Sequence, residues 1–270
     1  MQKKILFFDI DGTLLTEGEN RYIPESAKQA IQKAREQGHY AFINTGRCYA
    51  ELEESLRNLN LDGFVCGCGT YILYHGEVLH HQGIEEKMRR EIISDLQDCK
   101  LEGLLEGRDC IYYGNYPYKS RMEKIKKEHQ KDIPERIADM NRGMPDFDKF
   151  CFCITERSDF NKFYEKYQSH FTFIDRGDSF YEIVPIQCSK ATGMQVIMDY
   201  LHISREDTIA FGDSTNDEAM LQFAGQSVLM GRHDAAIAHY GDYVTDRVEN
   251  DGIEKALKYY GLLPEHYAQT

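Results

Sequence analysis

The sequence predicts an α/β protein built on a parallel sheet and interrupted by an α+β insert. Three features carry that expectation. Short apolar runs alternate with helical patterns at both ends of the chain. The stretch between them loses this rhythm. The residues with chemical character gather directly after apolar runs, outside the middle stretch.

Ile5–Phe8 is apolar throughout, as a strand covered on both faces must be. Pro24 opens a helical pattern with Ala27, Ala30, Ile31 and Ala34 on one face, and Gly38 closes it. Tyr40–Ile43 reads as the second strand, Tyr49 to Leu59 as a second helix and Phe64–Cys66 as a third strand. This order implies parallel strands with right-handed crossovers. Ile72–Tyr74 and Val78-Leu79 flank His75-Gly76-Glu77 and read as a hairpin. After Gly83 come a helix from Glu85 to Leu96, strand-like stretches near Leu104 and Ile111–Tyr113, and charged helices up to about Met140. Phe150–Ile154, a helix from Asp159 to Tyr167, and the strands Phe171–Ile174 and Phe180–Val184 complete the insert. The α/β rhythm then returns: helix Ala191–Leu201, strand Thr208–Phe211, helix Glu218–Ala224, strand Val228–Met230, helix Ala235–His239, strand Tyr243–Thr245 and helix Ile253–Tyr260.

The length of 270 residues suits a core domain with a smaller insert. Charged residues at 29% and hydrophobic ones at 41% mark a soluble globular chain. The net charge of −13 argues against nucleic acid or an anionic membrane as partner, since both select basic surfaces. An anionic substrate then needs a metal ion and a few basic groups at the site itself. The N-terminus runs straight into a strand without a signal-peptide pattern, and no apolar run approaches a membrane span. A cytoplasmic protein with reduced thiols is expected. The pairs Cys66/Cys68 and Cys151/Cys153 have C-x-C spacing, narrower than structural zinc sites use. In strands each pair faces one side, so they read as small buried apolar residues.

Four polar clusters follow apolar strands or open helices. Asp9-Ile10-Asp11-Gly12-Thr13-Leu14 places two carboxylates two residues apart at a strand end. Ligands of open parallel sheets bind beyond that edge. One such carboxylate can attack phosphorus if a cation screens its charge, and the other can protonate a leaving oxygen and deprotonate water. Asp-Gly is also a common turn pair. Gly212-Asp213-Ser214-Thr215-Asn216-Asp217 is a second acid cluster after a core strand. Helix capping explains any one of its residues, but two acid clusters at strand ends can also converge on a hard cation such as Mg²⁺. Asn44-Thr45-Gly46-Arg47 offers a hydroxyl and backbone N–H groups suited to phosphate oxygens, or plain capping. Ser189-Lys190-Ala191 puts a lysine at a helix start, which the macrodipole disfavours unless an anion is near.

In this order the clusters resemble the haloacid dehalogenase superfamily, and more narrowly the Cof-type phosphatases with a C2B cap. The resemblance spans nearly the whole chain. It implies a Rossmann-like core at 1–83 and 186–270 and a C2B-like cap at 84–185. It implies that Asp9 is the nucleophile and Asp11 the general acid/base. Asp9, Asp11 through its backbone carbonyl, and Asp213 are the implied Mg²⁺ ligands. Ile10, Thr45, Gly46, Lys190 and Asn216 are the implied phosphate contacts, with Asp217 as a supporting carboxylate. Two places depart from the family pattern. Cys68-Gly69 stands where Asn-Gly is frequent, and Gly231-Arg232-His233 where Gly-Asn-Ala is frequent. Neither removes a catalytic group, and Arg232 and His233 read as surface residues, with a substrate contact as the other reading.

The expected activity is hydrolysis of a small phosphorylated metabolite, with a sugar phosphate first and a phosphorylated cofactor or nucleotide next. The alternatives are a phosphomutase of the phosphomannomutase type and a non-catalytic sensor of phosphorylated ligands. Tyr113, Tyr116 and Tyr118 flank Gly114 and Pro117 in the insert and are candidates for substrate selection. Cap core or exposed strand is the rival reading for these rings. His80-His81 reads as a hairpin end, and Lys124, Lys126 and Lys127 as a solvated helix face.

Overall fold

A computed structural model describes residues 2–18 and 20–264. In chain order the elements begin β1 (Ile5–Phe8), α1 (Glu25–Glu36), β2 (Tyr40–Asn44), α2 (Glu54–Arg57), β3 (Gly63–Cys66), β4 (Tyr71–Tyr74) and β5 (Glu77–His81). They continue with α3 (Glu86–Asp98), β6 (Glu102–Glu106), β7 (Ile111–Tyr113), α4 (Met122–Asp132), β8 (Ile137–Asp139), β9 (Lys149–Cys153), α5 (Phe160–Tyr167), β10 (Phe171–Asp175) and β11 (Phe180–Pro185). The last are α6 (Lys190–Leu201), β12 (Thr208–Gly212), α7 (Glu218–Phe223), β13 (Gln226–Leu229), β14 (Tyr243–Val244) and α8 (Gly252–Tyr259). None of the described helices is long and apolar enough to cross a membrane.

Packing divides the chain into two units. The first takes residues up to 46, 58–79 and those from 189 onward. Its sheet runs β14-β13-β12-β1-β2-β3-β4-β5. Pairing is parallel from β14 to β3 and turns antiparallel at β3–β4. The all-apolar β1 is central, and every one of its side chains is buried, as a strand with helices on both faces requires. Phe7, Phe42, Val65, Met194, Ala210 and Leu229 form part of its core. Each large apolar side chain so buried contributes about 1.5–3 kcal/mol.

The second unit takes residues 47–57 and 80–188. Its six strands run β10-β11-β9-β6-β7-β8. One core contains Ile92, Leu96, Phe150, Phe152, Phe163 and Ile183. Another joins Cys48 and Ala50 to Leu104, Tyr113, Tyr118 and Cys151, which is why residues 47–57 belong with this unit.

The expected helix from Tyr49 to Leu59 is instead a 3₁₀ turn at Tyr49–Glu51 followed by the single-turn α2. Side chains compete with helix growth here. Glu51 accepts the Cys48 N–H at 2.8 Å, and the Arg57 guanidinium donates to the Leu52 carbonyl at 2.8 Å and the Tyr49 carbonyl at 2.5 Å. The helix expected at Ala235 is also 3₁₀, over Ala235–Tyr240. Strand β8, parallel to β7, lies where charged helix was expected. Cys151 and Cys153 are buried on one strand face as expected. Cys66 and Cys68 do not share a strand face, because Cys68 falls in the turn after β3 with φ 55°. All eight cysteines are free thiols.

Candidate active site

Strand register assembles the site. Phe8 pairs with Phe211 on one side and with Ile43 on the other. Asp9 therefore leaves the sheet between Gly212-Asp213 and Asn44-Thr45, and its N–H donates to the Phe211 carbonyl at 3.0 Å. Three of the sequence clusters thus meet at the carboxyl edge of adjacent parallel strands.

The fourth cluster arrives on α6. Ser189 caps this helix: its Oγ accepts the Thr192 N–H at 3.1 Å, and its own N–H donates to Thr192 Oγ1 at 2.8 Å. Lys190 follows as the first helical residue. Its Nζ donates to Asp9 Oδ1 and to Asp217 Oδ1, both at 2.5 Å. Lys190 and Asp217 are 1% and 0% exposed, so the three groups form a dry ionic triad. Asn44 Nδ2 donates to the Lys190 carbonyl at 3.0 Å and fixes the helix start from β2. Asp217 is also committed through Oδ2, which accepts the N–H groups of Asp213 and Ser214 at 2.9 and 3.1 Å.

The charge balance is uneven. Burial raises Asp9 to about 6, with repulsion from Asp217 adding to it, while Lys190 and the Ile10 N–H pull the other way. Burial, then repulsion from Asp9 and Asp217, raises Asp213 to about 8. Burial works against the charged form of Lys190, but Asp217 and Asp9 outweigh it and hold the ammonium above the ordinary lysine range. Three carboxylates therefore face one ammonium. Oxygen atoms of Asp9, Asp213 and Asp217 lie within 4.8 Å of one another. This all-oxygen, charge-deficient cluster fits a hard divalent cation such as Mg²⁺. Asp217 already spends its oxygens on protein donors, which leaves Asp9 and Asp213 as the better-disposed ligands.

Asp11 is the exposed member of the first motif, and the Arg21 guanidinium makes an ion pair with its carboxylate. Asp11, Thr16, Arg21, Asp213 and Ser214 line a cavity of about 400 Å³. Gly12 has φ +79°, and a Cβ there would run into the Asp213 carboxylate. Only glycine combines that turn with that approach. Thr13 Oγ1 donates to Asp213 Oδ1 at 3.2 Å. Thr45 is buried, with its N–H on the Val65 carbonyl at 2.9 Å and its own carbonyl accepting the Cys68 N–H at 3.0 Å. The left-handed Cys68 thus braces the Thr45-Gly46 segment through its backbone. That conformation suits Asn better than Cys, so the expected Asn has a backbone reason here. Half-buried Asn216 accepts a hydrogen bond from Ser214 Oγ.

The remaining expectations separate. Arg232 pairs with Glu17, and His233 Nδ1 contacts the Met230 carbonyl at 2.7 Å. Tyr113 and Tyr118 are buried in the second unit. The Tyr113 hydroxyl meets His129 Nδ1 at 2.7 Å, and the Tyr118 hydroxyl donates to the Gly103 carbonyl at 2.9 Å and accepts the Gly114 N–H at 2.7 Å. Tyr116 is half-buried and lines a separate cavity. Sequence reasoning missed Asn44 as the brace of Lys190, Thr13 as a donor to Asp213, and Arg21 as the partner of Asp11. Asn44 had a signal, being a polar residue at the end of a buried strand. Arg21 had none, because it lies in a loop.

The sequence profile of the haloacid dehalogenase-like hydrolases matches residues 6–257, and the chain belongs to that family. The chain is 28% identical over 263 residues to the protein YkrA of Bacillus subtilis (strain 168), covering 97% of this chain and 100% of that one. It is 25% identical over 268 residues to YitU of the same organism, a 5-amino-6-(5-phospho-D-ribitylamino)uracil phosphatase, covering 95% and 97%. Among solved structures, the subclass IIB sugar phosphatase BT4131 matches with a TM-score of 0.80 and 26% identity over 97% of this chain and 100% of that one. The chain is a phosphatase of this family.

Proposed function

We propose that the chain hydrolyses the phosphomonoester of a small metabolite, a sugar phosphate first, through a phosphorylated Asp9 and with Mg²⁺ as its metal. The observation that carries this reading is the buried Asp9–Lys190–Asp217 triad beside Asp213 at the carboxyl edge of the sheet. A carboxylate buried there has little reason to be ionised unless cations hold it so, and ionised it is a nucleophile.

In this reading Asp9 and Asp213, with the backbone carbonyl of Asp11, hold the metal. When bound, Mg²⁺ supplies positive charge that lets a phosphate dianion approach an anionic carboxylate. The residues do the rest. Lys190, the backbone of Ile10, Thr45 and Gly46, and the Asn216 amide bind the phosphate oxygens. Asp9 attacks phosphorus in line with the leaving oxygen, and a new O–P bond forms as the old one breaks. Asp11 gives its proton to that leaving oxygen. It then takes a proton from the water that attacks the acyl phosphate, which releases orthophosphate and returns the Asp9 carboxylate. Asp217 keeps Lys190 in place throughout.

The second unit, read as a cap, is proposed to select the substrate, because phosphate handling is common to every phosphomonoester. Buried Tyr113 and Tyr118 act on that choice only through the shape of their loop. The experiment is a screen of phosphorylated metabolites with Mg²⁺, followed by acid quench of enzyme mixed with substrate labelled at the phosphate. Phosphate release and label on Asp9 are expected. No label in a rapidly quenched active enzyme, or phosphate returned to a second hydroxyl of the substrate, overturns the reading.

A further inference from the structure

A cavity in the second unit has no part in the mechanism above. It measures about 480 Å³, the size of a small-molecule site. Its apolar wall is Leu96 and Leu101 with the ring of Tyr116. Its polar wall carries three cations, Lys100, Lys119 and Arg157, each exposed at the surface.

Many basic side chains of this unit pair with acids, such as Arg89 with Asp146, Arg90 with Glu86, Lys127 with Glu123 and Lys166 with Asp95. Others, such as Lys87, Lys131 and Lys162, do not among the described residues, but those do not line this cavity. Among the described residues none of the side chains of Lys100, Lys119 and Arg157 has an ion-pair partner. One carboxylate does line the cavity, that of Glu102. It is already engaged by the Lys119 N–H at 2.8 Å, the Ser120 N–H at 2.9 Å and the Ser120 hydroxyl at 2.6 Å. Its single charge offsets one of the three cations and leaves the rim with a net surplus of positive charge. The result is a concave site with an apolar wall, one aromatic face and a surplus of positive charge on an acidic protein.

We propose that this cavity binds a small anionic molecule with a flat apolar body. The body lies against Leu96, Leu101 and Tyr116, and the anionic group faces Lys100, Lys119 and Arg157. None of these residues belongs to the Asp9 cluster, and the proposal does not rest on the catalytic reading. Charge placed in this way gives orientation and specificity, while the apolar contact supplies most of the affinity.

The test uses the full chain and two fluorescent probes. Anilinonaphthalene sulfonate has the required anion and flat body, and phenylnaphthylamine has the body without the anion. The wild-type chain binds the sulfonate at one site. Reversing two rim charges together, Lys100→Glu with Arg157→Glu, weakens the sulfonate about tenfold, roughly what two lost ion contacts amount to. The same variant binds the neutral probe as before and hydrolyses an aryl phosphate at the wild-type rate. The milder Lys100→Gln/Arg157→Gln protein, shown to be folded by its urea midpoint, follows the same order with a smaller loss. Unchanged sulfonate affinity in both variants overturns the proposal. So does displacement of the sulfonate from the wild-type chain by orthophosphate with Mg²⁺, which assigns the probe to the catalytic cluster.

Discussion

Lys190 and Asp9 form an ion pair, with Nζ 2.5 Å from Oδ1, in which neither side chain reaches solvent appreciably. Lys190 holds Asp217 at the same distance. Removing one partner of such a pair leaves a buried charge uncompensated, which costs about 3–5 kcal/mol. Lys190→Met is expected to lose that much stability in urea unfolding. Adding Asp217→Asn should return part of the loss, because one of the two stranded carboxylates is then gone. A double variant no more stable than the single one would show that Asp217 is not coupled to Lys190.

Asp9→Asn keeps the shape of the side chain and removes the proposed nucleophile. Turnover should fall by several orders of magnitude, about the loss expected when covalent catalysis is removed. Binding of orthophosphate with Mg²⁺, measured by calorimetry, should survive in weakened form. Near-normal turnover in pure Asp9→Asn protein would falsify the nucleophile assignment.

The raised carboxylates make a pH prediction with a definite sign. Asp213 lies near 8 and Asp9 near 6, both above an ordinary value of 3.8. At these two groups the folded chain holds more protons than the unfolded chain between about pH 4 and 8, so their contribution to stability falls as pH rises through that window. In chelator, Tm should decline from pH 5 to about 8, and saturating Mg²⁺ should flatten the decline. Glu106, pushed up to about 8 chiefly by burial in the second unit, adds to the same slope. Asp213→Asn separates the two, since it removes one contribution and leaves that of Glu106. A slope insensitive to both Mg²⁺ and Asp213→Asn rejects the crowded-carboxylate account, and full turnover in chelator rejects the metal requirement.

The core sheet is legible in the sequence because its strands are buried on both faces and read as unbroken apolar runs, as in Ile5–Phe8 and Thr208–Phe211. Polar residues directly after such runs then mark the carboxyl edge. That is why the order of residues alone places Asp9, Thr45 and Asp213 at one edge of the sheet. What escapes such reading depends on tertiary contacts. The segment after Gly46 has helical composition, yet Arg57 folds back on backbone carbonyls and Cys48 and Ala50 pack with the second unit. Tyr113 and Tyr118 look like contact residues in a loop. Their hydroxyls are satisfied internally, and no periodicity reveals that.

Gly12 gives a structural test of the site independent of turnover. Its φ of +79° and the nearness of the Asp213 carboxylate both exclude a Cβ. Gly12→Ala should cost about 1–3 kcal/mol from the strained backbone alone. It should also displace Asp213 and weaken Mg²⁺-dependent stabilisation in thermal melts. An alanine protein as stable as wild type and equally responsive to Mg²⁺ contradicts this packing.

Asp11 raises a question of timing. Its carboxylate is paired with the Arg21 guanidinium, yet the proposed mechanism has it carry a proton to the leaving oxygen. In that role the pair with Arg21 opens as the proton is passed to the leaving oxygen. The effect of losing Asp11 should then depend on how much help the leaving group needs. A phenolate leaves readily without a proton, whereas a sugar alkoxide does not. Asp11→Asn should lower kcat/KM for an alkyl phosphate by about 10²–10⁴-fold, the usual range for general acid–base catalysis, and far less for an aryl phosphate. The label trapped on Asp9 with the aryl substrate should increase, because in the proposed mechanism Asp11 also activates the water that clears it. Equal losses for both substrates, with no extra trapped label, would remove Asp11 from proton transfer and leave it only its ion pair with Arg21.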